Sequence, residues 1–319
     1  MLKKTLPDIS KSTVTYCGAL PAVGMEEVQL LINGQSGLAK IFIDFKDTSS
    51  RGIHMSRLYK LLKEHFSSTE KQIEPSKTLS FKHLKQFLQE ALNSHEEQTD
   101  EAYLVLSFPL TVNQESLVSK QWGLRTYPIN IKASLNTKNE FKVYINFELT
   151  YSSTCPCSAS LAQELNKDAF FTHFKDQENI AAKDIKNWFS DVNNVDAFPH
   201  AQRSKAYITL LIDQQLAKTE GTELIQLEIK KAEQVLKTAV QSFVKREDEQ
   251  AFAHLNAKSP LFCEDAARKL KILYNQEAFV KDFAIKVSHE ESLHPHNAIS
   301  FAFKSEGEFC KAKTLFILN

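Results

Sequence analysis

Glycine is scarce in this chain, at 8 of 319 residues, and none of the eight forms a G-x-G-x-x-G or G-x-x-x-x-G-K-[ST] pattern. A bound nucleotide would be held by neither a Rossmann turn nor a P-loop. An excess of one charge is also lacking, since 39 basic side chains face 39 acidic ones. Nucleic acid and acidic membrane surfaces select for surplus lysine and arginine, so neither is an expected partner. No uncharged apolar run is long enough to span a bilayer, and the start Met1-Leu-Lys-Lys-Thr-Leu-Pro-Asp8 has no apolar signal core. A cytoplasmic location is therefore expected. The five cysteines, Cys17, Cys155, Cys157, Cys263 and Cys310, are too few and of the wrong parity for a disulfide framework. In a reducing compartment they serve as free thiols or ligands.

What is present is an ordinary globular composition, 42% hydrophobic and 24% charged, in a chain longer than most single domains. Alternating or β-branched apolar stretches at Val28–Ile32, Ala39–Phe45, Tyr103–Thr111, Tyr127–Ser134 and Phe141–Tyr151 predict strands. Further strands are predicted at Ala206–Ile212, Phe279–Val287, Ala298–Phe303 and Lys313–Leu318. Helical spacing predicts helices at Ser56–Phe66, Phe81–Leu92, Thr222–Val244 and Pro260–Tyr274, the last with proline at its first position. The order strand-strand-helix-helix-strand-strand thus occurs twice, which predicts a duplicated α+β unit with antiparallel sheets and paired helices on one face. The boundary falls near Thr137–Glu140, giving units 1–138 and 139–319. Ala159–Asn194 reads as a polar helical insertion in the second unit.

Several short patterns carry potential chemistry. In Cys155-Pro156-Cys157 an extended backbone would direct both thiols to one side, as a ligand pair or as two small core residues. His294-Pro295-His296, with Glu291 three residues before it, is either a proton shuttle or a solvated loop. His200 precedes a strand and alone reads as structural, and Glu249 sits in the run Lys245-Arg-Glu-Asp-Glu249, where an exposed helix face is the plain reading. Glu264 follows an apolar stretch, an unusual place for a carboxylate. Arg51 and Arg57 flank His54 at a helix start, forming either an anion-binding turn or a basic cap.

Taken together and in order, Arg51-Gly-Ile-His-Met-Ser-Arg57, Thr154-Cys-Pro-Cys-Ser158, Pro199-His-Ala-Gln-Arg-Ser204, Lys245-Arg-Glu-Asp-Glu249, Phe262-Cys-Glu-Asp265 and Glu291-Ser-Leu-His-Pro-His296 closely resemble the motifs of the type IB GTP cyclohydrolase family. The resemblance implies the tunnelling fold, with two units per subunit, barrels formed on oligomerisation, and a homotetramer with interfacial active sites. It implies opening of the GTP imidazole ring to formate and 7,8-dihydroneopterin triphosphate, the first step toward folate and other pteridines.

By the same resemblance Cys155, His200 and Glu249 match ligands of a divalent ion, and their mixed donors suit zinc, manganese or iron. Cys157 is an alternative to Cys155. Glu264 matches the purine anchor, whose two oxygens complement the N1–H and N2–H donors of guanine and reject adenine. Glu291, His294 and His296 would move protons during ring opening. Arg51, Arg57, Arg203 and Lys245 are candidate cations for the triphosphate. Unlike compact members of the family, this chain separates Cys155 from His200 by the helical insertion, and Phe198-Pro199 stands where a glycine often precedes the histidine. Competing expectations are another tunnelling-fold enzyme, a pterin synthase or a nitrile reductase, and a non-catalytic protein with a closed structural metal site.

Overall fold

The structure is a computed structural model that describes Ser10, Ser12 and residues 18–46, 50–66 and 79–318; Cys17 lies outside the described residues. The first half runs β1 (Leu20–Ile32), β2 (Gln35–Phe45), α1 (Met55–Phe66), α2 (Phe81–Asn93), β3 (Glu101–Glu115) and β4 (Trp122–Asn136). The second runs β5 (Phe141–Thr154), α3 (Pro156–His173), α4 (Ala182–Ser190), β6 (Ala201–Ile212), α5 (Gly221–Leu236), α6 (Arg246–Lys258), α7 (Cys263–Gln276), β7 (Val280–His289), β8 (Ala298–Phe303), α8 (Glu308–Lys311) and α9 (Lys313–Leu318). Among the described residues eight strands form one sheet in chain order, each antiparallel to the next.

Strand alternation decides which face is covered. In β3 the residues Leu104, Leu106, Phe108 and Leu110 are buried while their neighbours are half-buried or exposed. The helices lay their apolar stripes on this face: Leu58 and Leu62 from α1, Leu84, Phe87 and Leu88 from α2, Leu224 and Ile225 from α5, and Leu270 and Tyr274 from α7 join one core. Each such aliphatic side chain contributes roughly 1.5–3 kcal/mol on burial. The start of α2 is fixed by Ser80, whose hydroxyl accepts the His83 N–H at 3.2 Å.

Four local expectations are corrected. Lys313–Leu318 is the short helix α9 and not a strand, because an apolar run of that length has no distinguishing period. Helix α5 stops at Leu236, since Lys237 adopts φ 71°, and the chain beyond it extends beside β5, with Ala239 bridged to Tyr151. Helix α7 begins at Cys263, so Pro260 lies before it; Asp265 accepts the Phe262 N–H and closes the first turn. The backbone is not extended through Cys155-Pro156-Cys157, because Pro156 starts a helix with Cys155 as the N-cap of α3.

Between β5 and β6 the chain makes an arm of α3, α4 and a short 3-10 turn at Val192–Asn194. Phe170, Phe174 and Trp188 pack together in it. The Asn166 side chain ties α3 to the returning strand by accepting the N–H groups of Asp196 (2.9 Å) and Ala197 (3.1 Å) and donating to the Ala197 carbonyl (2.9 Å). The arm leaves the sheet at Thr154 and rejoins it at Ala201, its direct partner across the β5–β6 ladder. Strands β4 and β5 pair only from Ile129–Leu135 to Phe141–Phe147, so the sheet opens toward the end of β5. Thr238 and Val240 fill that gap through backbone bonds to Ser152 (2.8 Å) and Thr150 (3.3 Å).

Candidate active site

The end of β5 is the meeting point of the second half. The Cys155 N–H donates to the His200 carbonyl at 3.3 Å, and the Leu261 N–H just before α7 donates to the Thr154 carbonyl at 3.0 Å. The Glu290 N–H, where β7 ends, donates to the Arg203 carbonyl at 3.1 Å. Thus the arm folds out and returns, and Cys155 and His200 become neighbours despite their separation in sequence. Their surroundings also orient the imidazole: Nδ1 lies 3.0 Å from the Gln202 side-chain oxygen and 3.3 Å from the Ser292 hydroxyl. Oxygen partners at Nδ1 are the arrangement that leaves Nε2 available in metal-binding histidines.

Cys157 is corrected relative to the extended-backbone expectation. It lies in the first turn of α3 and is exposed, whereas Cys155 is half-buried at the N-cap, so the two are not successive same-side residues of a strand. Glu249 is exposed in the first turn of α6. With Tyr151, Ser152, Gln202 and Arg203 it lines a cavity of about 400 Å³ beside the end of β5. Among the described residues no three His, Cys, Asp or Glu side chains are close enough to hold a metal ion. The backbones of Cys155 and His200 are neighbours and their donor types suit such an ion, while among the described residues Glu249 is not gathered with them.

Glu291, His294 and His296 stand in the loop between β7 and β8, Glu291 half-buried and both imidazoles exposed. The two rings stack with centroids 5.0 Å apart and planes 11° from parallel. Glu264 occupies the first turn of α7, where Cys263 donates its S–H to the carboxylate at 3.3 Å. Burial, and next the Glu264 carboxylate, push the Cys263 thiol up to about 11. This cysteine is inert core, not a nucleophile.

The arginines divide. Arg203 lines the cavity near Cys155. Arg51 and Arg57 follow β2, whose end at Phe45 lies, through the ladders Ile43–Ala102, Ala102–Leu135 and Leu135–Phe141, at the opposite end of the sheet from Thr154. Arg57 there donates to the Ser94 carbonyl at 2.7 Å, capping α2. Lys245 is the N-cap of α6.

Two features escaped the sequence reading. Behind Cys155, His289 sits buried between strands, with Nε2 2.9 Å from the Tyr151 hydroxyl and Nδ1 3.2 Å from the Ser153 hydroxyl, which in turn is 2.7 Å from that of Ser204. Burial lowers the His289 pKa to about 4 even though Glu264 and Asp265 pull it upward. Burial likewise raises Tyr151 far above the ordinary phenol value. Phenol and imidazole are both neutral, and the network is satisfied without any charge. The second feature is Asp248, fully buried within an otherwise solvated charged run. It accepts the N–H groups of Val118 (2.7 Å), Ser119 (2.9 Å) and Lys245 (2.8 Å) and the Ser119 hydroxyl, clamping the β3–β4 turn to α6. Burial opposes its charge, but these donors prevail and hold the carboxyl well below the usual range. Its only sequence signal is its place three residues into a helix start.

A single antiparallel sheet with α1, α2, α5 and α7 on its core face, and α8 and α9 against the other through Phe309 and Phe316, defines an α+β protein. More specifically, the chain belongs to the type I GTP cyclohydrolase folE2 family, whose sequence model matches residues 6–300. It is 37% identical over 314 residues to GTP cyclohydrolase FolE2 of Pseudoalteromonas atlantica, covering 95% of this chain and 98% of that protein. It is 38% identical over 305 residues to GTP cyclohydrolase FolE2 of Pseudomonas putida, covering 94% and 96%. Among solved structures, a uricase from Bacillus fastidious aligns with TM-score 0.45 and 10% identity over 92% of this chain and 95% of that one.

Proposed function

We propose that this protein is a GTP cyclohydrolase that hydrolyses GTP to formate and 7,8-dihydroneopterin 3′-triphosphate, opening the route to folate and related pteridines. The family match along nearly the whole chain carries this reading. The convergence of Cys155, His200 and the Glu290–His296 loop on one sheet end supports it.

In this reading Cys155 and His200 hold a divalent ion, zinc, manganese or iron, with Glu249 as the third donor. When bound, the ion supplies a water acidified toward neutral pH. The remaining work falls to the chain itself. The Glu264 carboxylate accepts N1–H and N2–H of guanine and so selects GTP over ATP. The exposed imidazoles of His294 and His296, with Glu291, carry protons to and from the purine's five-membered ring as it opens and formate leaves. Arg203 is a candidate cation for the nucleotide on the Cys155 side of the site. The neutral His289 network keeps the backbone around Cys155 and Glu290 in register.

Assembly completes the proposal. Units 1–138 and 139–319 form a duplicated tunnelling fold, and a homotetramer closes the sheets into barrels. Among the described residues both outer strands of the sheet, β1 and β8, have one unpaired edge, which supports pairing between copies. Such pairing would also let a neighbouring copy bring Arg51, Arg57 and further groups to a site that one chain leaves open. Among the described residues no helix is long and apolar enough to cross a membrane. A cytoplasmic location is proposed.

The test is formate release from GTP by the full-length protein supplied with Mn²⁺ or Zn²⁺, with a product that becomes fluorescent on oxidation. Activity is expected, and Cys155→Ala should abolish it together with metal retention. Absence of formate across several metals would overturn the assignment.

A further inference from the structure

A second cavity, of about 400 Å³, lies between α7 and β8, and the residues around it are unlike those beside Cys155. Its charged lining is Glu264, Arg268, Lys271 and Lys313, one carboxylate against three cations. Lys271 is half-buried, and among the described residues neither Lys271 nor Lys313 has a carboxylate within ion-pair distance. Two other half-buried lysines do: Lys205 reaches Glu148 at 3.1 Å, and Lys231 reaches Glu228 at 2.9 Å. Among the described residues Arg268 makes one ion pair, an exposed contact to Asp265 at 3.2 Å, a weak restraint that an anionic ligand would displace. Ser300 and Ser305 add hydroxyl groups to the same wall.

We infer that this cavity binds the polyphosphate chain of the nucleotide, with Lys271 and Lys313 as its principal cations and Arg268 between them and the base. Glu264, Arg268 and Lys271 fall at helical positions i, i+4 and i+7, one face of α7. At about 1.5 Å per residue, Glu264 and Lys271 are separated along that face by roughly 10 Å. A purine whose amino edge meets Glu264 can therefore run its ribose and phosphates along the same helix. Arg51 and Arg57 are less suited within one chain, being at the far end of the sheet, and Arg203 faces the other cavity. The inference takes the identity of the nucleotide from the proposed activity, whereas the polyphosphate site stands on the cavity itself.

Two measurements on the full-length protein separate these. In calorimetric titration, inorganic tripolyphosphate should bind the unaltered protein more tightly than monophosphate does, and Lys271→Ala with Lys313→Ala should weaken it tenfold or more. In steady-state assays the same double variant should raise KM for GTP roughly 10–100-fold while kcat stays within a few-fold, because the lost contacts are uniform in ground and transition states. Lys271→Arg should restore most of the binding. Equal tripolyphosphate affinity in both proteins, or an unmoved KM, overturns the inference. A failure of the unaltered protein to release formate would instead overturn the activity, and the tripolyphosphate titration would still decide the site. Thermal melts should not shift, since neither lysine makes an ion pair; a variant that melts early is replaced by the single change at exposed Lys313.

Discussion

The buried imidazole of His289 makes stability depend on acid in a calculable way. Its pKa is lowered to about 4 by burial, while Glu264 and Asp265 work in the opposite direction. An unfolded chain would titrate the same ring near 6.5. Between these values the unfolded chain binds more protons, so stability is complete above about pH 6.5 and is lost as pH falls toward about 4. The difference of about 2.5 pKa units corresponds to roughly 3 kcal/mol, an upper figure for one group. The perturbation is His289→Gln, which keeps a donor and an acceptor for Tyr151 and Ser153 but cannot titrate. Urea denaturation followed from about pH 8 to about pH 4 should show the variant weaker at the high end, by about 1 kcal/mol for an imperfect hydrogen bond. Its curve should then fall less steeply, so that the two proteins converge or cross in acid. His83 and His95 are also held low by burial, but they are present in both proteins and cancel in the difference. Parallel curves would refute the neutral buried network.

Three further outcomes are expected. Glu264→Gln should lower kcat/KM for GTP by ~10²-fold or more without changing the melting temperature, since the amide presents a donor to guanine's donor edge; an unchanged KM would remove Glu264 from base recognition. Arg125 and Glu233 form a 2.8 Å ion pair with side chains only 8% and 14% exposed, so Arg125→Ala should cost roughly 3–5 kcal/mol in urea, most of it recovered when Glu233 is also made apolar. Replacing residues 159–194 with a short flexible linker should leave cooperative unfolding of the sheet intact, as the β5–β6 ladder does not depend on the arm; a molten or aggregated product would contradict this.

The strands were legible because one face of the sheet is buried and the other is not, which imposes period two on β3 and β5. The helices α1 and α2 were legible from their apolar spacing almost to the residue. What failed were places where the same residues permit two backbones. Cys155-Pro156-Cys157 suits a strand end and also a helix start with proline in its first turn, and packing chose the helix. The run Lys245–Glu249 reads as solvated charge, yet its fourth member, Asp248, is wholly buried, because its partners, Val118 and Ser119, lie in a turn more than a hundred residues earlier. No local pattern carries that. The His200 position beside Cys155 came from motif order alone; its physical basis, the pairing of Thr154 with Ala201, is a property of the sheet.

That pairing has a consequence for how the chain can change. Because Cys155 and His200 are joined by a backbone hydrogen bond across neighbouring strands, the intervening polypeptide is spared the task of setting their spacing. Lineages are free to lengthen, shorten or redecorate the arm, including its exposed Leu161, Phe171, Phe189 and Phe198, without retuning the chemistry at its root. The arm is thus an appendage on which new binding properties can be tried while the old reaction continues, and a backbone nicked within it should still hold its two pieces together through the sheet.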